Sequence, residues 1–290
     1  MTMAERRFAC TQCGQCCNRA PELELGEAAA LVDVFVLRLM LRIYSLPRSL
    51  ADYQSEHLPR EQASAEFYQS KRLLSSFAAG SWPAKVRRGD KAVDYIQYLS
   101  LSALPLDLGT GSCSALADPR CSIYERRPLS CRSVPLHYSR PEASAARALD
   151  AFTTTPGFAC ATGSDAPLVI EADAITDPAM LAARSAAQEQ AATDKRWKAA
   201  IVKAMKTGQH GLPSPRAVEA NAAVGALTAS MLGAWRVAGA AGLLKVDEVG
   251  RLVATQCHLI KQELQRDRLS ANVLAILGEM HSEYTKTLAQ

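Results

Sequence analysis

Phe8-Ala-Cys10-Thr-Gln-Cys13-Gly14-Gln-Cys16-Cys17-Asn-Arg-Ala20 places four cysteines within eight residues and shows no apolar periodicity. A stretch with neither a 3.6-residue nor a two-residue repeat has no face to bury, so it reads as a loop. Gly14 gives that loop the backbone freedom to turn sharply, as a chain must to bring closely spaced thiolates around one point. Three more cysteines form a second block, Cys113-x7-Cys121-x9-Cys131, and Cys160 follows within Pro156-Gly-Phe-Ala-Cys160-Ala-Thr-Gly163. The ninth, Cys257, stands alone beside His258 in an amphipathic stretch and reads as a structural position.

Working outward, residues 107–165 are dense in Gly, Pro, Cys and Ser, so this region needs something other than regular structure to hold it, and a metal would supply that. The apolar run from Ala28 to Leu46 is interrupted by Asp33, Arg38 and Arg42, too many charges for a bilayer span. Its spacing predicts a helix over about 26–45, closed by Pro47. Helical spacing recurs over 51–78, and 94–106 partly alternates and is rich in strand formers, predicting a short strand or hairpin. Asp177-Pro178 is a helix start, with Asp as N-cap and Pro at the first position, and the helix is expected to run to Thr207. After the Gly208–Pro215 connector, helices are expected near 216–240, 246–267 and 270–288, the last capped by Ser270. The expected fold is therefore mainly α: an irregular cysteine-rich metal-binding domain at 1–165 with a short strand or hairpin, and an α-helical bundle at 166–290.

The chain has 290 residues, 48% hydrophobic and 21% charged, which excludes a disordered polymer. A net charge of +4, scattered, gives no case for nucleic-acid binding. The first ten residues carry no apolar stretch of the secretory kind, so a cytoplasmic location is expected, with no membrane association. In a reducing compartment, a tight cysteine cluster points to metal binding rather than disulfides.

Cys10-x2-Cys13-x2-Cys16 is spaced like the three-ligand run of a [4Fe–4S] loop with a fourth thiolate from afar, and the same spacing suits zinc knuckles. Adjacent side chains diverge, so Cys16 and Cys17 are expected to serve two centres or to bridge two metals. Eight clustered cysteines make two sets of four: Cys10, Cys13, Cys16, Cys17, Cys113, Cys121, Cys131 and Cys160. [4Fe–4S] clusters are favoured, with zinc or mononuclear iron as the alternative. A four-thiolate site of either kind carries about −2 in charge, which nearby cations must offset. Arg126, Arg127 and Arg132 lie where they could do so. His137 is a further candidate ligand or proton donor, and Phe8 and Tyr124 are candidates for shielding the centre from water.

Phe8-x-Cys10-x2-Cys13-Gly14-x-Cys16-Cys17, followed by Cys121-Ser-Ile-Tyr124-Glu-Arg-Arg127-Pro128-Leu-Ser-Cys131-Arg132 and Pro135, resembles the CxxCxxCC cysteine-cluster family, the YkgJ type, known as zinc- or iron-chelating proteins. Gly111-x-Cys113 and Cys160-x2-Gly163 resemble its looser flanking elements, so the likeness covers about residues 6–165. The resemblance implies metal binding. Flagellin lysine N-methylase, an S-adenosylmethionine-dependent enzyme, is a distant relative of that group, which makes such chemistry an alternative. The radical S-adenosylmethionine spacing C-x3-C-x2-C is absent.

Leu106-Asp-Leu-Gly109-Thr-Gly111-Ser looks like a nucleotide-binding turn, but no alternation of strands and helices surrounds it, so it reads as a tight turn delivering Cys113. No Ser/His/Asp order or H-E-x-x-H motif supports hydrolysis. The sequence therefore points to a metal-binding protein acting in electron transfer, sensing or metal-dependent modification. A metal chaperone is the remaining alternative, and the helical region could receive a protein partner.

Overall fold

Leu37, Leu39 and Leu41 alternate with Arg38, Met40 and Arg42, and in the structure this two-residue period prevails over the helical one. In the computed structural model, which describes residues 5–18, 20–54, 60–88, 91–109, 112–117, 120–221, 225–267 and 269–289, the three leucines are fully buried. They lie on a strand that pairs antiparallel with Ala226–Ser230, in register from Arg38↔Ser230 to Arg42↔Ala226. The helix expected over 26–45 is thus corrected to a five-residue helix, Leu25–Ala29, and an 11-residue strand. Arg38 and Arg42, four apart, satisfy a helical stripe and a strand face equally; the alternating leucines break the tie.

In chain order the elements are β1 (Arg6–Arg7), α1 (Leu25–Ala29), β2 (Leu37–Pro47), α2 (Leu50–Tyr53), α3 (Arg60–Phe77), β3 (Gly80–Arg88) and β4 (Lys91–Pro105). Then come β5 (Leu116–Ala117), β6 (Arg120–Cys121), α4 (Leu129–Arg132), α5 (Ala145–Thr153), β7 (Leu168–Glu171), β8 (Ala174–Ile175), α6 (Pro178–Thr193) and α7 (Lys195–Thr207). The chain ends with α8 (Pro215–Ala220), β9 (Ala226–Ser230), α9 (Met231–Ala240), α10 (Val246–Glu263) and α11 (Ala271–Leu288). Among the described residues the strands form antiparallel sheets of order β1-β7-β8, β3-β4-β2-β9 and β5-β6. With about 47% helix and 19% strand, the fold is mixed α/β, which overturns the mainly α expectation.

Elsewhere the expected helices are recovered with three interruptions, the first at Gln54, where α2 ends within the stretch expected to be helical over 51–78. The expected helix over 216–240 is broken by β9, which the pairing with β2 draws into a sheet. The helix from Pro178 breaks at Asp194, whose carboxylate accepts from the Gly26 N–H at 3.0 Å and whose carbonyl accepts from Lys198 N–H at 2.8 Å. Asp177 caps the Met180 N–H at 2.7 Å, and Ser270 caps Val273 at 3.3 Å, as the sequence predicts.

The chain divides into two compact units. The first comprises Met1–Cys16, Ile43–Ser100 and Glu125–Ala192. One of its apolar cores joins Phe8, Leu136, Leu149, Val169, Ile170 and Met180, with Cys160 packed against it. Arg6 on β1 holds Asp150 on α5 with two parallel hydrogen bonds of 2.8 and 2.9 Å. The second unit comprises Cys17–Arg42, Leu101–Tyr124 and Thr193–Gln290. There the fully buried Gln256 of α10 bonds the backbone entering β2, accepting from Leu37 N–H at 2.8 Å and donating to Val32 and Phe35 carbonyls at 2.7 Å each. Lys198 and Glu24 form a buried ion pair at 2.6 Å in the same unit.

Candidate metal centre

The loop of Cys10, Cys13 and Cys16 is laced to the Cys160 segment by main chain. Ala9 N–H donates to the Ala161 carbonyl at 2.8 Å, and Ala161 N–H donates back at 3.1 Å. Two residues exchanging both bonds are the wide pair of an antiparallel ladder. Cys10 and Cys160 each adjoin this isolated pair, so the two segments that carry them run side by side in antiparallel sense. Thr11 Oγ1 extends the lacing by donating to the Ala159 carbonyl at 2.8 Å. On the other side, Phe8 N–H donates to the Pro167 carbonyl at 3.0 Å. Phe8 itself is 4% exposed, with its ring edge-on to Phe152, so it anchors this loop in the core.

Beyond Cys10 the chain coils tightly: Gln12 and Gly14 both take left-handed backbone, at φ 58° and 73°. Glycine adopts this freely, whereas at Gln12 it is a strained conformation for a residue with a side chain. The result brings polar hydrogens to Cys13. A hydrogen bond from the Gln15 N–H, then the polar Thr11 side chain and the Ala159 N–H, pull its thiol below the ordinary cysteine range, against burial and the neighbouring Cys16. Cys160 moves the other way, pushed up by burial and then by the negative charges of Cys16, Cys13 and Cys10. A bound cation would favour the thiolate form of Cys160 that burial and its cysteine neighbours disfavour.

A second group lies in the other unit. Cys113 N–H donates to the Cys17 carbonyl at 2.8 Å, and the Cys113 carbonyl accepts from Leu116 N–H at 2.9 Å. The β5–β6 hairpin, with Leu116 opposite Cys121, returns the chain towards Cys113. Burial, then the charge of Cys121, raises the Cys113 thiol, against a hydrogen bond from the Ala115 backbone. The boundary between the units falls at the Cys16–Cys17 peptide. Cys131 stands on α4 in the first unit, its N–H donating to the Pro128 carbonyl at 2.8 Å. All nine cysteines are thiols rather than disulfides. Among the described residues no three His, Cys, Asp or Glu side chains already stand close enough to hold a metal ion. The donor types suit a thiolate-bound metal, and the main-chain ties bring the segments that carry them together.

The remaining candidates sort themselves by their contacts. Arg132 folds back on its own loop, donating to the carbonyls of Arg127 at 2.8 Å and Glu125 at 3.1 Å, while Arg126 is exposed. His137 stacks on Tyr138, with ring centroids 4.2 Å apart, and pairs with the Ser139 hydroxyl at 2.8 Å. Gly109 donates its N–H to the Asp107 carboxylate at 2.8 Å in a tight turn, and the described chain that follows, from residue 112, enters β5 without opening a helix. Thr110, Gly111, Asp118 and Pro119 lie outside the described residues. Cys257 faces the Thr285 hydroxyl at 3.5 Å, and His258 is exposed. Sequence reasoning missed Thr11 and Ala159, whose only signal is their position beside cysteines. It also missed Arg184, which donates to the carbonyls of Leu136, His137 and Arg140 and so fixes the backbone after Cys131.

The family model CxxCxxCC, described as a putative zinc- or iron-chelating domain, matches residues 9–154, half of the chain. The chain belongs to the CxxCxxCC family. The matched CxxCxxCC span includes every clustered cysteine except Cys160, which the Ala9–Ala161 ladder brings back to its first cysteines. No curated protein and no solved structure matches the chain. No helix among the described residues is long and apolar enough to cross a membrane.

Proposed function

We propose that this zinc- or iron-chelating protein holds iron–sulfur clusters through its eight clustered cysteines and acts in electron transfer, sensing or metal-dependent modification. The observation that carries this reading is the Ala9–Ala161 pair, which ties the segment of Cys160 to the start of the Cys10-x2-Cys13-x2-Cys16 run. Three closely spaced thiolates completed by one distant in sequence is the pattern that [4Fe–4S] clusters use. When bound, such a cluster supplies a one-electron couple. The chain's own part is to fix the thiolates, to donate hydrogen bonds to sulfur, as the Gln15 and Ala159 N–H groups do at Cys13, and to bury one side of the loop on Phe8.

Iron, zinc and acid-labile sulfide are to be measured on full-length protein purified without oxygen, together with its visible spectrum. The expected result is brown protein with about eight iron and about eight sulfide per chain, whose visible absorption bleaches on reduction. Colourless protein carrying zinc and no sulfide would replace clusters by zinc sites and leave the chelating role in place. Protein that takes up neither metal would overturn the reading.

A further inference from the structure

We infer that Cys10, Cys13, Cys16 and Cys160 form one self-contained four-thiolate site, and that Cys17, Cys113 and Cys121 belong to a second site that loads independently. This inference rests on the chelating reading above and deepens it by assigning residues to sites.

Two observations carry it. The first four thiols all lie in one compact unit, and the other three all lie in the other. Each set has its own main-chain lacing. Residues 9–11 are tied to residues 159–161 by the Ala9–Ala161 pair and the Thr11 hydroxyl. Cys17 is tied to Cys113 by the 2.8 Å hydrogen bond, and Cys121 is returned by the β5–β6 hairpin.

The arrangement also accounts for the adjacent cysteines. The boundary between the two units falls between Cys16 and Cys17. A Cys-Cys pair at the junction of two laced loops can therefore give one thiolate to each centre, which a single x2-spaced residue could not. The first site owes its fourth ligand to Cys160, which lies outside the span that carries the family motif.

The test uses the full chain, reconstituted with zinc, and reads metal per folded protein for wild type, Cys160→Ser, Cys121→Ser and the double variant. Each single variant is expected to keep about half of the wild-type metal and the double variant to keep none. A parallel titration with cobalt reads the sulfur-to-metal charge-transfer absorption, which should fall by half in each single variant. Loss of all metal in both single variants would show one shared polynuclear centre and overturn the partition, while leaving metal chelation standing. Absence of metal from the wild type would instead overturn the chelating reading itself.

A second measurement needs no variant and is immune to misfolding. Zinc-loaded wild type is stripped by a chelator in the presence of an alkylating agent, and each cysteine peptide is followed by mass. Cys10, Cys13, Cys16 and Cys160 should become labelled in step. Labelling of Cys160 in step with Cys113 and out of step with Cys13 would overturn the assignment. The same experiment places Cys131 in one set or the other.

Discussion

Replacing Gln256 by leucine should destabilise the protein by about 3–5 kcal/mol. The side chain has no solvent exposure and uses its whole amide: the oxygen accepts from Leu37 N–H at 2.8 Å, and the nitrogen donates to the Val32 and Phe35 carbonyls at 2.7 Å each. Leucine fills a similar volume, so the cavity contribution is small and the loss is polar. Three buried backbone groups are left without that partner, at about 1–3 kcal/mol each when nothing replaces it, and local relaxation lowers the sum into the stated range. Gln256→Glu separates the two halves of the amide, because a carboxylate can still accept from Leu37 but cannot donate to the carbonyls. It should fall below wild type as well. His258→Ala, two residues along the same helix on an exposed position, should stay within about 0.5 kcal/mol. Urea denaturation followed by circular dichroism measures all three. A Gln256→Leu protein within 1 kcal/mol of wild type would refute the argument that this amide holds β2 to α10.

Two further outcomes follow from buried charge. Lys198→Ala leaves Glu24 buried without its 2.6 Å partner and should cost about 3–5 kcal/mol, whereas Lys198→Met with Glu24→Leu should recover most of the loss; denaturation midpoints check this, and a double variant no better than the single would contradict it. His137 is pushed down to about 4 by burial and by Arg140 and Arg184. Its folded-state value lies below the unfolded one, so its stabilising contribution is complete above about pH 6.5 and is lost as the pH falls towards 4. Between pH 7 and pH 5 the loss from this group is about 2 kcal/mol, and His137→Gln should lose that much less than wild type over the same interval. Parallel acid denaturation curves for the two proteins would count against it.

The cysteine chemistry was legible in the sequence because thiols at short, repeated spacing have few other uses in a reducing compartment. Ser270 and Asp177 were legible for an equally local reason, since a capping side chain acts within three residues of itself. What sequence reading got wrong was β2. Its residues carry helix-compatible charges and helix-forming leucines, and the partner that makes them a strand, Ala226–Ser230, lies about 190 positions away. Nothing local announces such a partner, and the same pairing turned part of an expected helix into β9. The site was legible as a set of donors. A split between Cys16 and Cys17 was expected from the sequence as well; which distant cysteines lie near each was not legible, because the ties involved, Ala9 to Ala161 and Cys17 to Cys113, are main-chain hydrogen bonds that any residue could make.

Those ties also bear on how the site can work. In a small zinc module the unfolded chain pays for ordering its ligands out of the metal's binding energy, so the apo form does not fold. Here the segment leading into Cys10 is ordered by other means: Arg6 grips Asp150 with two hydrogen bonds, Phe8 is buried in the core, and Ala9 and Thr11 are bonded to the Cys160 segment. Part of the conformational entropy lost on ligation is therefore already lost before metal arrives, which favours tight binding. The coil from Gln12 to Cys16 has fewer ties, the left-handed residues at 12 and 14 and the hydrogen bonds at Cys13. On the proposed ligand assignment, loosening the anchor at Phe8 should lower both fold stability and metal affinity, whereas Cys10→Ser should lower metal affinity with a smaller effect on the fold, which metal titration and urea denaturation of the two variants separate.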